Sequence, residues 1–163
     1  MLKKTILQLS LVSALVLSTQ TYAKTNPVTT LNASQQVQQA EKNKKIVLDF
    51  YQGVFQKHQV KSYADRYIGN QYRQHNPYVA DGKAPFVDYF VQYFKENPQA
   101  SSQIKRVIAD GDLVWLHVHS QANPQDRGSA VIDIFRVKDG KIVEHWDVIQ
   151  EIPETSANNN TMF

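Results

Sequence analysis

The chain has 163 residues and no cysteine, and its 18 basic residues against 15 acidic ones leave a formal charge of +3. The lack of cysteine excludes disulfides, thiolate metal sites and thiol nucleophiles. The basic residues form no clustered stripe, so nucleic-acid binding has no electrostatic footprint.

Lys3 and Lys4 precede an apolar run from Ile6 to Leu17, and the small residue Ala23 follows. This is the layout of a secretory signal peptide over residues 1–23. The apolar run is too short for a comfortable permanent span. The expectation is therefore export across the inner membrane to the periplasm, with no stable membrane anchor after cleavage. The mature remainder carries 16 basic and 15 acidic residues and has the size of one domain. Residues 24–33 are polar and read as a mobile leader. Residues 34–152 read as the folded domain. The tail 153–163, with "SANNNT", has too little apolar content to offset ordering entropy and is expected to be disordered.

Ser34 is a plausible N-cap for a first helix running to about His58. Its apolar positions Val37, Ala40, Val47, Phe50, Tyr51, Val54 and Phe55 recur at helical spacing. A second, short helix is expected over Lys61–Tyr67, broken by Gly69-Asn70, and "QYRQHNPYVADG" reads as an extended piece and a loop. A third helix starts near Lys83, tolerates Pro85 in its first turn and ends at Pro98. It carries an aromatic stripe of Phe86, Tyr89, Phe90, Tyr93 and Phe94, which reads as core or as the lining of a pocket.

After Ser101 the pattern changes to strands: two segments around Asp110-Gly111-Asp112, a turn-rich "ANPQDRG", then "SAVIDIFRVKDGKIVEHWDVIQ". The last is a hairpin with a tight Asp139-Gly140 turn. Helices first and strands after indicate an α+β domain with helices on one side of an antiparallel sheet.

Alternation assigns faces. Trp115, His117 and His119 share one face of their strand; Val114, Leu116 and Val118 share the other. A two-residue turn makes Lys138 face Lys141 and, counting back, pairs Phe135 with Glu144, Asp133 with Trp146 and Val131 with Val148. The opposite face then carries Ile132, Ile134, Arg136, Val143, His145, Asp147 and Ile149. Both faces are largely apolar, so one is expected against the helices and the other in a homodimer formed through the sheet.

Asp133 lies in an apolar run on the inner face. Burial there would raise its pKa toward what a general acid–base needs; a structural Asp bonded to a buried Tyr or backbone amide would occupy the same position. His119 is read as its proton partner or orienter. His117 and His119 could face a metal together, but a site needs a third ligand, and none is assigned. His75, Trp115, His117, Trp146 and Tyr89 are the candidate substrate-binding residues, with His75 ahead of a Pro-containing loop that could rim a pocket. No phosphate-binding loop, dinucleotide-binding glycine pattern, serine elbow or zinc-protease helix is present, so any chemistry is expected to come from acid–base groups without a cofactor.

The segments "QHNPYVADG", "IADGDLVWLHVHS" and "AVIDIFRVKDGKIVEHWDVIQ" resemble the SnoaL-like polyketide cyclase family of the nuclear-transport-factor-2-like superfamily, over about Asn43 to Gln150. The resemblance implies a cone: a curved antiparallel sheet packed against three N-terminal helices around an internal pocket. It implies a cofactor-independent enzyme of the lyase or isomerase kind, with Asp133 as acid–base and His119 assisting, and a role for His75, Asn76 and Asp81 as pocket rim or structure. The partner it implies is a small apolar carbonyl compound. A non-catalytic periplasmic binding protein of the same fold, and an interaction module using the outer sheet face, are the alternative readings.

Overall fold

The computed structural model describes residues 31–163. The expected signal peptide, 1–23, and residues 24–30 of the expected leader lie outside the described residues.

Asn32, rather than Ser34, opens helix α1 (Ala33–Tyr51). Its side chain accepts the Gln35 backbone N–H while the Gln35 side chain accepts the Asn32 N–H, a reciprocal capping box that satisfies two orphan donors. The helix does not run evenly to His58. It passes into a single π turn, Gln52–Gln56, closed by the Lys57 N–H on the Gln52 carbonyl at 3.0 Å. Glycine is required inside that turn, because a Cβ at Gly53 would collide with the Tyr63 ring. The turn sets the Tyr51 and Phe55 rings side by side, centroids 4.4 Å apart. Helices α2 (Val60–Tyr67) and α3 (Lys83–Glu96) follow the expected spans closely. None of the described helices is long and apolar enough to cross a membrane.

Five strands form a curved, unclosed sheet: β1 (Ile68–Gln74), β2 (Ser101–Asp110), β3 (Leu113–Gln121), β4 (Ser129–Lys138) and β5 (Lys141–Glu151), in the order β1-β5-β4-β3-β2. The α+β class stands, but the sheet is mixed rather than antiparallel. The extended piece before the His75 loop is a full edge strand, and β1 runs parallel to β5. Parallel neighbours need a long crossover; here the whole segment from α3 to β4 intervenes.

The helices cover one face of the sheet. Val47, Phe50 and Val54 pack there with Val114, Leu116, Phe135 and Ile142, all at most 1 % exposed. The inner residues of β3 are therefore Val114, Leu116 and Val118, which puts Trp115, His117 and His119 on the outer face.

The hairpin departs from simple counting. Asp139 and Gly140 both have positive φ, as the tight turn demands, and Lys138 faces Lys141 and Val137 faces Ile142. One residue later β5 bulges at Val143, and Arg136 pairs with Glu144. Beyond the bulge Phe135 pairs with His145, Asp133 with Asp147 and Val131 with Ile149. The expected pairs Phe135–Glu144, Asp133–Trp146 and Val131–Val148 do not form. A one-residue shift exchanges the faces of every later side chain. Glu144 and Trp146 thus point outward, and His145 and Asp147 point inward. The physical reason is legible in the ion pairs. In the simple register Glu144 would lie against Phe135 in the core; in the bulged one it meets Arg136 at 2.9 Å and His75 at 2.9 Å on the outer face.

Candidate functional site

Between α3, the end of α1 and the inner face of the sheet lies a cavity of about 210 Å³. Its helical wall is aromatic, with Phe55, Phe86, Tyr89, Phe90, Tyr93 and Phe94. Its sheet wall carries the serines Ser101, Ser102 and Ser120 and an ionisable cluster, where Asp133, His145 and Asp147 meet with Gln74 and Asn76 from the end of β1 and the loop beyond it.

Asp133 is 6 % exposed and His145 is 8 % exposed. The bulge brings them together: His145 Nε2 lies 3.0 Å from Asp133 Oδ1. The second carboxylate oxygen, Oδ2, accepts the Tyr51 hydroxyl at 3.0 Å. Burial is the main cause that pushes the Tyr51 phenol well above its ordinary value, and the adjacent Asp133 charge adds to it. Tyr51 therefore stays a proton donor to Asp133. Burial, with Asp133 nearby, raises the Tyr72 phenol in the same way.

The hydrogen-bond network also settles which imidazole nitrogen carries a proton. His145 Nδ1 is 2.7 Å from Gln74 Oε1. That amide oxygen also accepts the Asn76 backbone N–H at 3.0 Å, while the amide nitrogen points at the Tyr72 hydroxyl. Since an N–H can only donate, Oε1 is the acceptor and Nδ1 must carry a hydrogen. The Nε2–Oδ1 contact then holds one proton shared between His145 and Asp133. Asp147 stands directly across from Asp133 and is half-buried; its Oδ2 accepts Asn76 Nδ2 at 2.6 Å.

Asp133, His145 and Asp147 each offer one ligand atom within 4.8 Å of the others. Two carboxylates and an imidazole suit a divalent ion. Here the direct His145–Asp133 bond satisfies two of the three groups without one.

Of the residues expected at the site, Asp133 and Tyr89 line the cavity. His119 does not reach Asp133. It sits on the outer face, its Nε2 on the Arg127 carbonyl at 2.8 Å, because its pairing partner is Ala130 and its strand alternates outward there. His117, also outward, accepts Arg106 Nη1 at 3.0 Å. Trp115 shares that face. The tail, Pro153–Phe163, has no helix or strand, and its last ring, Phe163, rests against His117 and His119. Trp146, expected beside Asp133, stacks instead on His75 with centroids 4.7 Å apart, and Arg136 lies over its ring. His75 is held by Glu144 away from the cavity. In the same loop Asn76 reaches the site, and Asp81 Oδ1 pins the Gln74 backbone N–H at 2.7 Å.

Sequence reasoning missed Tyr51, Gln74, His145 and Asp147. A signal existed for two of them: His145 and Asp147 are two apart on one strand and must share a face. Which face depended on the bulge.

The sequence profile of the SnoaL-like polyketide cyclase family matches residues 45–155. Among curated proteins none matches this sequence. Several solved structures share the fold. A SnoaL-like protein of unknown function from Burkholderia thailandensis is 12% identical over 69% of this chain and 98% of its own, with a TM-score of 0.59. TsrD from Streptomyces laurentii is 18% identical, covering 74% of this chain and 91% of its own, TM-score 0.53. A SnoaL-like polyketide cyclase from Agrobacterium tumefaciens is 13% identical, covering 66% of this chain and 91% of its own, TM-score 0.55. The profile match, which spans most of the domain and agrees with helices packed against an unclosed sheet, places this chain in the SnoaL-like polyketide cyclase family.

Proposed function

We propose that this protein is a cofactor-independent acid–base enzyme acting α to a carbonyl group of a small compound, as a cyclase or isomerase. The observation that carries the reading is the 3.0 Å contact between His145 Nε2 and Asp133 Oδ1 inside an aromatic cavity. Asp133 as carboxylate takes the proton from the carbon next to the carbonyl. The C–H electron pair moves to the carbonyl oxygen, and the protonated His145 ring steadies the enolate that forms. Where the enolate is conjugated with a carbon–carbon double bond, returning the proton to its far carbon gives an isomerase; attack of the enolate carbon on a second carbonyl carbon, whose oxygen takes the C=O electron pair and then the proton from Asp133, gives an aldol cyclase. Tyr51 holds the Asp133 carboxylate in place, and Gln74 holds the imidazole. The role that the sequence led one to assign to His119 passes to His145.

The test is solvent deuterium incorporation into cyclohexanone and related neutral one-ring monoketones, followed by proton NMR. Asp133→Asn should lower the exchange rate by about 10²-fold or more while circular dichroism stays unchanged. Equal exchange by parent and variant, or ligand retained without exchange, would assign the fold to binding alone. The N-terminal sequence supports export to the periplasm as part of this reading. N-terminal sequencing of the protein from a periplasmic extract should begin at Lys24, and an intact Met1 would refute it.

A further inference from the structure

We infer that the cavity selects a small protonated amine, about one ring in size, with its ammonium group on Asp147. The inference rests on the proposed function for the cavity as substrate site and for the carbonyl of the substrate; the ammonium preference is argued from the cavity alone.

Size comes first. A dry cavity of about 150 Å³ accommodates benzene, so the 210 Å³ here holds one ring and a short substituent beside the dyad. Three or four fused rings do not fit the enclosed part.

Charge comes second. No described residue lining the cavity is Lys or Arg. His145, with hydrogen on Nδ1, and Asp133, with one proton between them, sum to zero. Asp147 is left as an uncompensated carboxylate, and the site carries one net negative charge. Asn76 satisfies its Oδ2 at 2.6 Å, and among the described residues no further hydrogen bond reaches this side chain. An anion entering would face that charge in a poorly solvated space with no cation to receive it. An ammonium would neutralise it.

The third feature is the opposite wall. Phe55, Phe86, Phe90, Phe94, Tyr89 and Tyr93 supply π-systems around the same space. Aromatic faces with a carboxylate at one end are the chemistry that recognises organic cations. The dyad lies beside Asp147 on the same face of the sheet, so a carbonyl on the amine-bearing ring would lie within reach of Asp133. The substrate class is therefore a small aminocarbonyl compound.

The experiment is a ligand-detected NMR titration of the full chain near neutral pH with three isosteric probes: benzylamine as its ammonium, benzyl alcohol and benzoate. The expected order of affinity is benzylamine, then benzyl alcohol, then benzoate, with about tenfold or more between first and last. In Asp147→Asn the advantage of benzylamine over benzyl alcohol should vanish while benzyl alcohol binds as before. A fourth probe, 9-anthracenylmethylamine, should bind more weakly than benzylamine. Benzoate binding as tightly as benzylamine, an ammonium preference that survives in Asp147→Asn, a tighter three-ring amine, or no binding of any probe would each overturn the inference. These outcomes are binding measurements and are read separately from deuterium exchange, so failure of the catalytic reading and failure of the charge assignment are distinct.

Discussion

His145 donates from Nδ1 to Gln74 Oε1 at 2.7 Å, and that one bond decides which nitrogen faces Asp133. Gln74 is itself held by the Asn76 N–H and, through its backbone, by Asp81. The end of β1 thus orients an imidazole that belongs to β5. The tautomer is directly observable. Long-range nitrogen–proton NMR near neutral pH should show a protonated Nδ1 in the parent. Gln74→Leu removes the acceptor, and a mixture of tautomers should appear. An unprotonated Nδ1 in the parent would refute the assigned network.

Tyr51 sits one residue before the π turn and donates to Asp133 Oδ2 inside the core. Tyr51→Phe keeps the ring packing against Phe55 and Phe135 and leaves a buried carboxylate oxygen without its donor. The expected loss is about 1–3 kcal/mol in chemical denaturation. Spectroscopic titration adds a second check. The folded-state value of this phenol is raised above that of the unfolded chain. Its stabilising contribution is thus full below the ordinary tyrosine range and is lost as pH rises through it. The parent should lose stability more steeply than Tyr51→Phe on the alkaline side.

Glu144 has the opposite sign. Its hydrogen bond from His75, and then its pairing with Arg136, hold the carboxyl below its ordinary value of 4.5 against the opposing effect of burial. That contribution is complete above the ordinary value and disappears as pH falls through the folded value. Melting temperatures measured from about pH 6 down to about pH 3 should fall further for the parent than for Glu144→Gln. Parallel curves would show that the outer-face network does not stabilise the bulge.

Both tryptophans, Trp115 and Trp146, face away from the cavity. Saturating the pocket with benzylamine should leave tryptophan emission unchanged in wavelength. Trp146→Phe should leave benzylamine affinity unchanged and reduce stability by about 0.5–1.5 kcal/mol through the lost His75 and Arg136 contacts. A blue shift on ligand addition would place Trp146 on the inner face after all.

Much of this protein was determined by local sequence. The helix periods, the Asp139-Gly140 turn and the alternation of β3 and β4 are short-range properties, and they sufficed to give the three helices, the β2–β5 part of the sheet and Asp133 on its inner face, though not the strand β1 that lies between α2 and α3. What local sequence did not determine was the partner of Asp133. A hairpin turn propagates register only while the ladder stays regular, and the bulge at Val143 breaks it. No feature of "KIVEHWD" taken alone announces that break. It follows from Glu144 finding Arg136 and His75 outside instead of Phe135 inside, and of these His75 comes from a distant part of the chain. The same long-range packing gave β1 its parallel place beside β5 and brought Tyr51 and Gln74 to the dyad. The carboxylate was legible in the sequence; the histidine that shares its proton was chosen by tertiary structure.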